Sequence, residues 1–285
     1  IAIQGTATAA QTQGAPLPLS PPPTLPAPAP ALPTPETTPA PPLPLCPCAT
    51  LELPPLPTVA IAGSDSADTL TSTHGTDLIL GFAGDDVIQG LRGNDFLFGW
   101  AGDDRMNGGR GNDFLRSGAG NDRVYGDRGD DTLVGRSGDD ILYGDRAIID
   151  QSGGDDLLCG GEGADQLFGQ KGNDTLCGGV GDDSLNGGRG NDLLFGGEGN
   201  DILSGDMGND TLIGNAGADI FAVGQGSDVI LDFELGGDRI DLPASTSFSD
   251  LTITRSGVNT LISASGAFSV SLSNFAGTLS ATDFI

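Results

Sequence analysis

Aspartate recurs every nine residues through most of this chain, each time closing a glycine-rich hexapeptide. The clearest copy is Gly108-Gly109-Arg110-Gly111-Asn112-Asp113-Phe114-Leu115-Arg116. Its general form is Gly-Gly-x-Gly-(Asn/Asp)-Asp-x-U-x, with U a large apolar residue. Asp68 opens the series in a degenerate copy, with Ser64 and Ser66 where glycine would stand. The candidate ligands at position six are Asp77, Asp86, Asp95, Asp104, Asp113, Asp122, Asp131, Asp140, Asp156, Asp165, Asp174, Asp183, Asp192, Asp201, Asp210, Asp219 and Asp228. Beside them stand loop carbonyls such as those of Gly84, Gly93, Gly102, Gly111, Gly163, Gly172, Gly181, Gly190, Gly199 and Gly208. Carboxylates at fixed places among carbonyls make an oxygen-rich donor set for a hard cation. Ca²⁺ takes roughly six to eight such oxygens, whereas Mg²⁺ dehydrates reluctantly and demands strict octahedral geometry. Zinc wants clustered His and Cys, which the repeat lacks.

Something must hold these loops in register. The eighth position is apolar in 18 of 18 copies, from Leu70 and Ile79 to Phe221 and Ile230, in a chain only 37% hydrophobic. The triplet x-U-x suffices for a short strand, and the other six residues make a turn. Glycine at positions one, two and four permits positive φ and close packing of loop backbones. Two copies then form one 18-residue turn with a strand on each face and a loop at each edge. The expected fold is all-β: a parallel β-roll, that is, a right-handed β-solenoid, of about nine turns stacked roughly 4.8 Å apart. Position three supports the 18-residue period. Arg92, Arg110, Arg128 and Arg146 alternate with Ala83, Ala101, Ala119 and Ser137. The arginines read as charge balance or as a stripe for an anionic glycan or lipid.

Residues 63–231 carry 31 Asp or Glu against 10 Lys or Arg, a net of −21 within a whole-chain charge of −27. Self-repulsion opposes compaction of such a domain. One apolar side chain per nine residues offsets only part of the cost of ordering the backbone. Cations between successive turns would reverse the balance. The alternative is that the aspartates only form Asx-turns. The position-five acids Asp85, Asp103, Asp130, Asp139, Asp155 and Asp182 read as turn formers or side contributors.

These repeats resemble the hemolysin-type calcium-binding (RTX) nonapeptide family over about 170 of 285 residues. The resemblance implies that position-six aspartates and loop carbonyls bind Ca²⁺ inside a parallel β-roll. It also implies export by type I secretion machinery in an unfolded state and folding outside the cell. The stretch beginning Asp232-Phe233-Glu234-Leu235-Gly236-Gly237-Asp238 looks like the segment after the last repeat in many such proteins, and Asp283-Phe284-Ile285 resembles their acidic-then-apolar termini.

The flanks are different material. In residues 1–58 lie 18 of the 19 prolines and no Lys or Arg, which reads as a disordered polyproline-II spacer. The roll is assigned to 59–231. Residues 232–285 are expected to supply a small β cap over the open end, with strands at Leu251–Thr254, Thr260–Ser263 and Phe268–Leu272, together with the secretion signal. Between Gly144 and Gly154 seven extra residues, including Ile148, Ile149 and Asp150, read as a bulged loop or a contact site. Cys46 and Cys48 are too close for an easy mutual disulfide and are expected to be free or to link chains. Cys159 and Cys177 both occupy position nine, 18 residues apart, and are expected on adjacent turns within reach of a bridge.

Catalysis finds little support. His74 is the lone histidine, which excludes multi-histidine zinc-protease motifs, and no Gly-x-Ser-x-Gly elbow occurs. The expected function is a non-enzymatic, secreted, calcium-folded module with a structural or surface role. A second reading is an adhesin for a surface glycan or matrix component, hinted at by Trp100, Tyr125 and Tyr143. A third is the export module of a larger secreted hydrolase. Ice binding would want an outward Thr row, which position three lacks. The charge of −27 disfavours nucleic acid, and no apolar run reaches transmembrane length.

Overall fold

The computed structural model describes residues 44–51, 55–57, 60–145, 153–264 and 268–285. Most of the expected spacer, and Arg146, Ile148, Ile149 and Asp150 of the insertion, lie outside the described residues. The described regular structure is β, with short 3-10 turns only. Alternate copies feed two parallel sheets. One begins at Ala60–Ala62 and Leu78–Ala83 and reaches Gly226–Ile230; the other runs from Thr69–Thr71 to Arg239–Asp241. Together they wind into a parallel β-solenoid of about ten turns over residues 60–241.

Register follows the 18-residue period: Phe96 pairs with Phe114, Arg105 with Arg123 and Thr175 with Leu193. Across the insertion the step lengthens to 25, as Thr132 pairs with Leu157 and Ile141 with Gln166. The seven extra residues therefore leave the strands undisturbed. The ladders are longer than the triplets expected. Most strands run six residues, such as Phe96–Ala101 and Arg105–Arg110. Positions one to three stay in the ladder because the position-four amide donates to the position-three carbonyl one turn on, as Gly102 does to Ala119 at 2.9 Å.

Position eight forms the core. From Ile79 and Ile88 to Phe221 and Ile230 these side chains are buried, most at 0% exposure. Each apolar side chain sits over its counterpart one turn away, so the interior is a double ladder of mostly Leu and Ile. At the far end Phe268–Leu272 pairs parallel with Gly226–Ile230, then antiparallel with Asn259–Ala264, which pairs with Thr252–Ser256. Phe233 bridges Phe221 and Phe275, with ring centroids 6.3 and 5.5 Å apart. The last residues also close the roll: Ile285 N–H donates to Ile240 O at 3.0 Å.

The cysteines correct the sequence reading. The bridges are Cys46–Cys177 and Cys48–Cys159, with Cα separations of 6.2 and 6.0 Å. Cys159 and Cys177 are in-register neighbours as expected, but side chains on adjacent parallel strands point the same way off the sheet. Each meets a cysteine of a strap crossing above, and Cys-Pro-Cys spans one rung. Cys46 and Cys48 pack with Cys177, Phe195 and Ile213, and Leu51 with Leu78, Phe98 and Phe114.

Candidate metal centre

Stacking puts the position-six aspartates in two rows, one along each edge. Within a row each carboxylate reaches one turn back. Asp104 Oδ1 accepts the Asp86 N–H at 2.9 Å, and Asp122 Oδ1 accepts that of Asp104 at 2.7 Å. The second row repeats this, with Asp113 Oδ1 accepting from Asp95 at 2.8 Å and Asp131 Oδ1 from Asp113 at 2.8 Å. The bonds skip the insertion, as Asp140 N–H donates to Asp165 Oδ1 at 2.7 Å. They run between turns, not within one loop, so they are not Asx-turns.

The second oxygen is different. From Asp86 through Asp210 in both rows, and at Asp228, Oδ2 is buried with no hydrogen-bond partner. These residues are at most 3% exposed. An isolated buried carboxylate is expensive. Burial pushes Asp131 up to about 9 and Asp140 and Asp156 to about 8, although backbone hydrogen bonds pull the other way. Neighbouring aspartates raise them further. A divalent cation meets this deficit, since it supplies the missing charge and uses oxygen ligands.

Glycine makes the space. A Cβ on Gly90 would stand 2.8 Å from Asp95 Oδ2 and 2.5 Å from Gly108 O. Position one is thus a notch faced by both the aspartate and a carbonyl of the next turn. At position four, Gly102 has φ +125°, and a Cβ there would lie 2.5 Å from the Gly84 carbonyl carbon. The expected carbonyls of Gly84, Gly93, Gly102, Gly111, Gly163, Gly172, Gly181, Gly190, Gly199 and Gly208 each face the position-four glycine of the next turn. None accepts a backbone hydrogen bond among the described residues. The position-five side chains form an exposed ladder beside this row: Asp103 Oδ1 accepts the Asn121 N–H at 2.8 Å.

The ends depart from the pattern. Asp77 Oδ2 accepts the Thr73 N–H at 2.8 Å and its hydroxyl at 2.7 Å. Ser64 does the same for Asp68, at 2.6 and 2.9 Å. Hydroxyl and amide donors there satisfy the oxygen left bare elsewhere. Sequence reasoning missed Asp238, which continues the first row: its Oδ1 accepts the Asp219 N–H at 3.0 Å, and its Oδ2 accepts the Glu234 N–H at 2.7 Å. The signal was present in Asp238-Arg239-Ile240, an Asp-x-U triplet displaced by one residue from the nine-residue spacing.

The family model described as the RTX calcium-binding nonapeptide repeat (4 copies) matches residues 80–115, 116–147, 151–185, 178–212 and 195–230. No curated protein matches the chain at significant similarity. Among solved structures, the AlgE6R3 subunit of the Azotobacter vinelandii mannuronan C5-epimerase is 26% identical, with a TM-score of 0.22, over 56% of this chain and 80% of that one. The extracellular lipase LipA from Serratia marcescens is 19% identical, with a TM-score of 0.26, over 80% of this chain and 40% of the lipase.

Proposed function

This chain belongs to the RTX calcium-binding nonapeptide-repeat family, and from that premise we propose that it is a secreted protein whose roll forms when extracellular Ca²⁺ engages its aspartate rows. The observation that carries this reading is the run of buried, unpartnered Oδ2 atoms from Asp86 to Asp210. The ligands are the position-six carboxylates and the loop carbonyls of positions one and four. Asp77, although in the series, already has Thr73 on its Oδ2 and contributes least. A bound cation would neutralise buried charge and hold adjacent turns together. The chain's own part is orientation: each Oδ1 bond ties a carboxylate to the previous turn, so an ordered turn presents the ligands for the next. Folding by nearest-neighbour stacking is cooperative.

In low calcium, a domain of net −21 stays expanded and can be threaded through type I secretion machinery; outside the cell it folds. Its role there is structural or at the surface. No described helix is long and apolar enough to cross a membrane. A second reading, a calcium-dependent adhesin, has one observation in its favour. Tyr125, Tyr143 and Phe168 stack face to face on the outside of one sheet, with centroids 5.0 and 4.9 Å apart, and Arg105 lies over Tyr125. Limited proteolysis of the full chain tests the main reading. Calcium should protect residues 60–145, 153–264 and 268–285, while chelator or magnesium should leave them rapidly cut. Equal protection in chelator would overturn it.

A further inference from the structure

On the outer face of the first sheet a cavity of about 960 Å³ lies between the strands and the disulfide-tied strap. Its size is that of a small-molecule site. The strap crosses the position-nine column, in which Leu80, Phe98, Arg116, Val134 and Cys159 follow one another in register. Cys48, Leu51 and Leu56 cover this column. Beside it runs the position-two column of Trp100, Gly118, Arg136 and Gly161. The glycines on either side of Arg136 carry no side chain, which opens the floor.

Two arginines stand in this apolar setting. The Arg116 Nε is buried and has no hydrogen-bond partner. No described carboxylate makes an ion pair or hydrogen bond with Arg116 or Arg136. Glu162 sits on the exposed rim and joins neither. Burial and the nearby Arg136 charge both disfavour the charged form of Arg116. In a chain of net charge −27, two neighbouring guanidiniums without an acid are a place kept for an external anion. Burying the Arg116 Nε without a partner is costly, and an incoming anion would offset that cost. The walls of Phe98, Leu80, Val134 and Leu51 suit an apolar body, and Trp100, 58% exposed, flanks the mouth.

We propose that this cavity binds an anionic amphiphile, with its head group on Arg116 and Arg136 and its alkyl chain under the strap. The site is separate from the aspartate rows and does not depend on what they bind, provided the roll is folded. Trp100 is the sole tryptophan, so its fluorescence reports on the cavity alone. The test titrates the full chain, in saturating calcium, with sodium octanesulfonate; octyltrimethylammonium and octyl glucoside are controls. Saturable quenching or shift with the sulfonate only is expected. Arg136→Gln and Arg116→Gln should each weaken it about tenfold or more, as loss of a charged hydrogen bond implies. Circular dichroism confirms folding of each variant, and the exposed Arg136→Gln carries the test if Arg116→Gln fails to fold. Vesicles of phosphatidylglycerol separate the sources of the ligand. Binding of both probes with the same arginine dependence points to a lipid, and of the sulfonate alone to a free amphiphile. Equal affinity for the cationic or neutral probe, no saturable change with the sulfonate, or sulfonate binding indifferent to folded glutamine variants would overturn the proposal.

Discussion

Asp140 separates metal binding from turn chemistry. Its Oδ1 accepts the Asp122 N–H at 2.8 Å, and its Oδ2 is buried without a partner. Asp140→Asn keeps the Oδ1 acceptor and removes the charge; Asp140→Ala removes both. In calcium, losing one charged oxygen ligand should cost about 1.5–3 kcal/mol. At about 1.4 kcal/mol per decade, that weakens the adjoining site roughly 10- to 140-fold. Alanine also strands the Asp122 N–H, which adds about 1–3 kcal/mol. In chelator the sign reverses for asparagine, because it removes an unpaired carboxyl whose burial opposes ionisation. The assay is urea unfolding followed by far-UV circular dichroism in saturating calcium, the residual β signal in chelator, and a calcium titration of each variant. The expected order of stability in calcium is parent, then asparagine, then alanine. An asparagine variant matching the parent in calcium, with only alanine impaired, would refute the reasoning and leave the aspartates as hydrogen-bond formers.

Leu133→Ala, at a fully buried core position, should cost about 2–5 kcal/mol in calcium by urea unfolding. Gly102→Ala meets the Gly84 carbonyl at φ +125° and should raise the calcium midpoint; Gly236→Ala, at φ +85° with nothing within 4 Å, should cost only about 1–2 kcal/mol. Non-reducing peptide mapping should recover Cys46 linked to Cys177 and Cys48 linked to Cys159; a Cys159–Cys177 peptide would contradict the strap. The pH dependence has a definite sign. Burial raises Asp95 to about 6 and Asp131 to about 9 in the folded chain, against about 3.9 when unfolded. The metal-free roll therefore binds more protons than the unfolded chain, and this stabilisation is full below about pH 3.9 and lost as pH rises through the folded values. Its β signal in chelator should be stronger near pH 4.5 than near pH 8, and the opposite trend would count against buried, unpaired carboxylates.

The repeat made much of this molecule legible. Nine-residue spacing of Asp113, Asp122 and Asp131 fixed which residues share an edge, and the invariant apolar eighth position located the core from Ile79 to Ile230. Periodicity reports only what repeats, and the differences lie where something else intervenes. The strands lengthened to six residues because position-three carbonyls accept hydrogen bonds from position-four amides of the previous turn, a cross-turn effect invisible in one copy. The cysteine pairing depended on a strap from outside the repeat. Asp238 escaped notice because one extra residue shifts it out of phase. Ser64 was legible as a degenerate residue but not as a donor to Asp68, since hydroxyl geometry is not written in spacing. The unpaired Arg116 sits at position nine, where the motif is silent, and Arg136 replaces the motif's position-two glycine.

The most direct test of the central claim is far-UV circular dichroism of the full chain during a calcium titration from chelator at neutral pH, with magnesium as control. The rows of bare carboxylate oxygens predict a sharp, cooperative gain of β structure with calcium and none with magnesium at the same concentration. A roll fully formed in chelator and indifferent to calcium would contradict it.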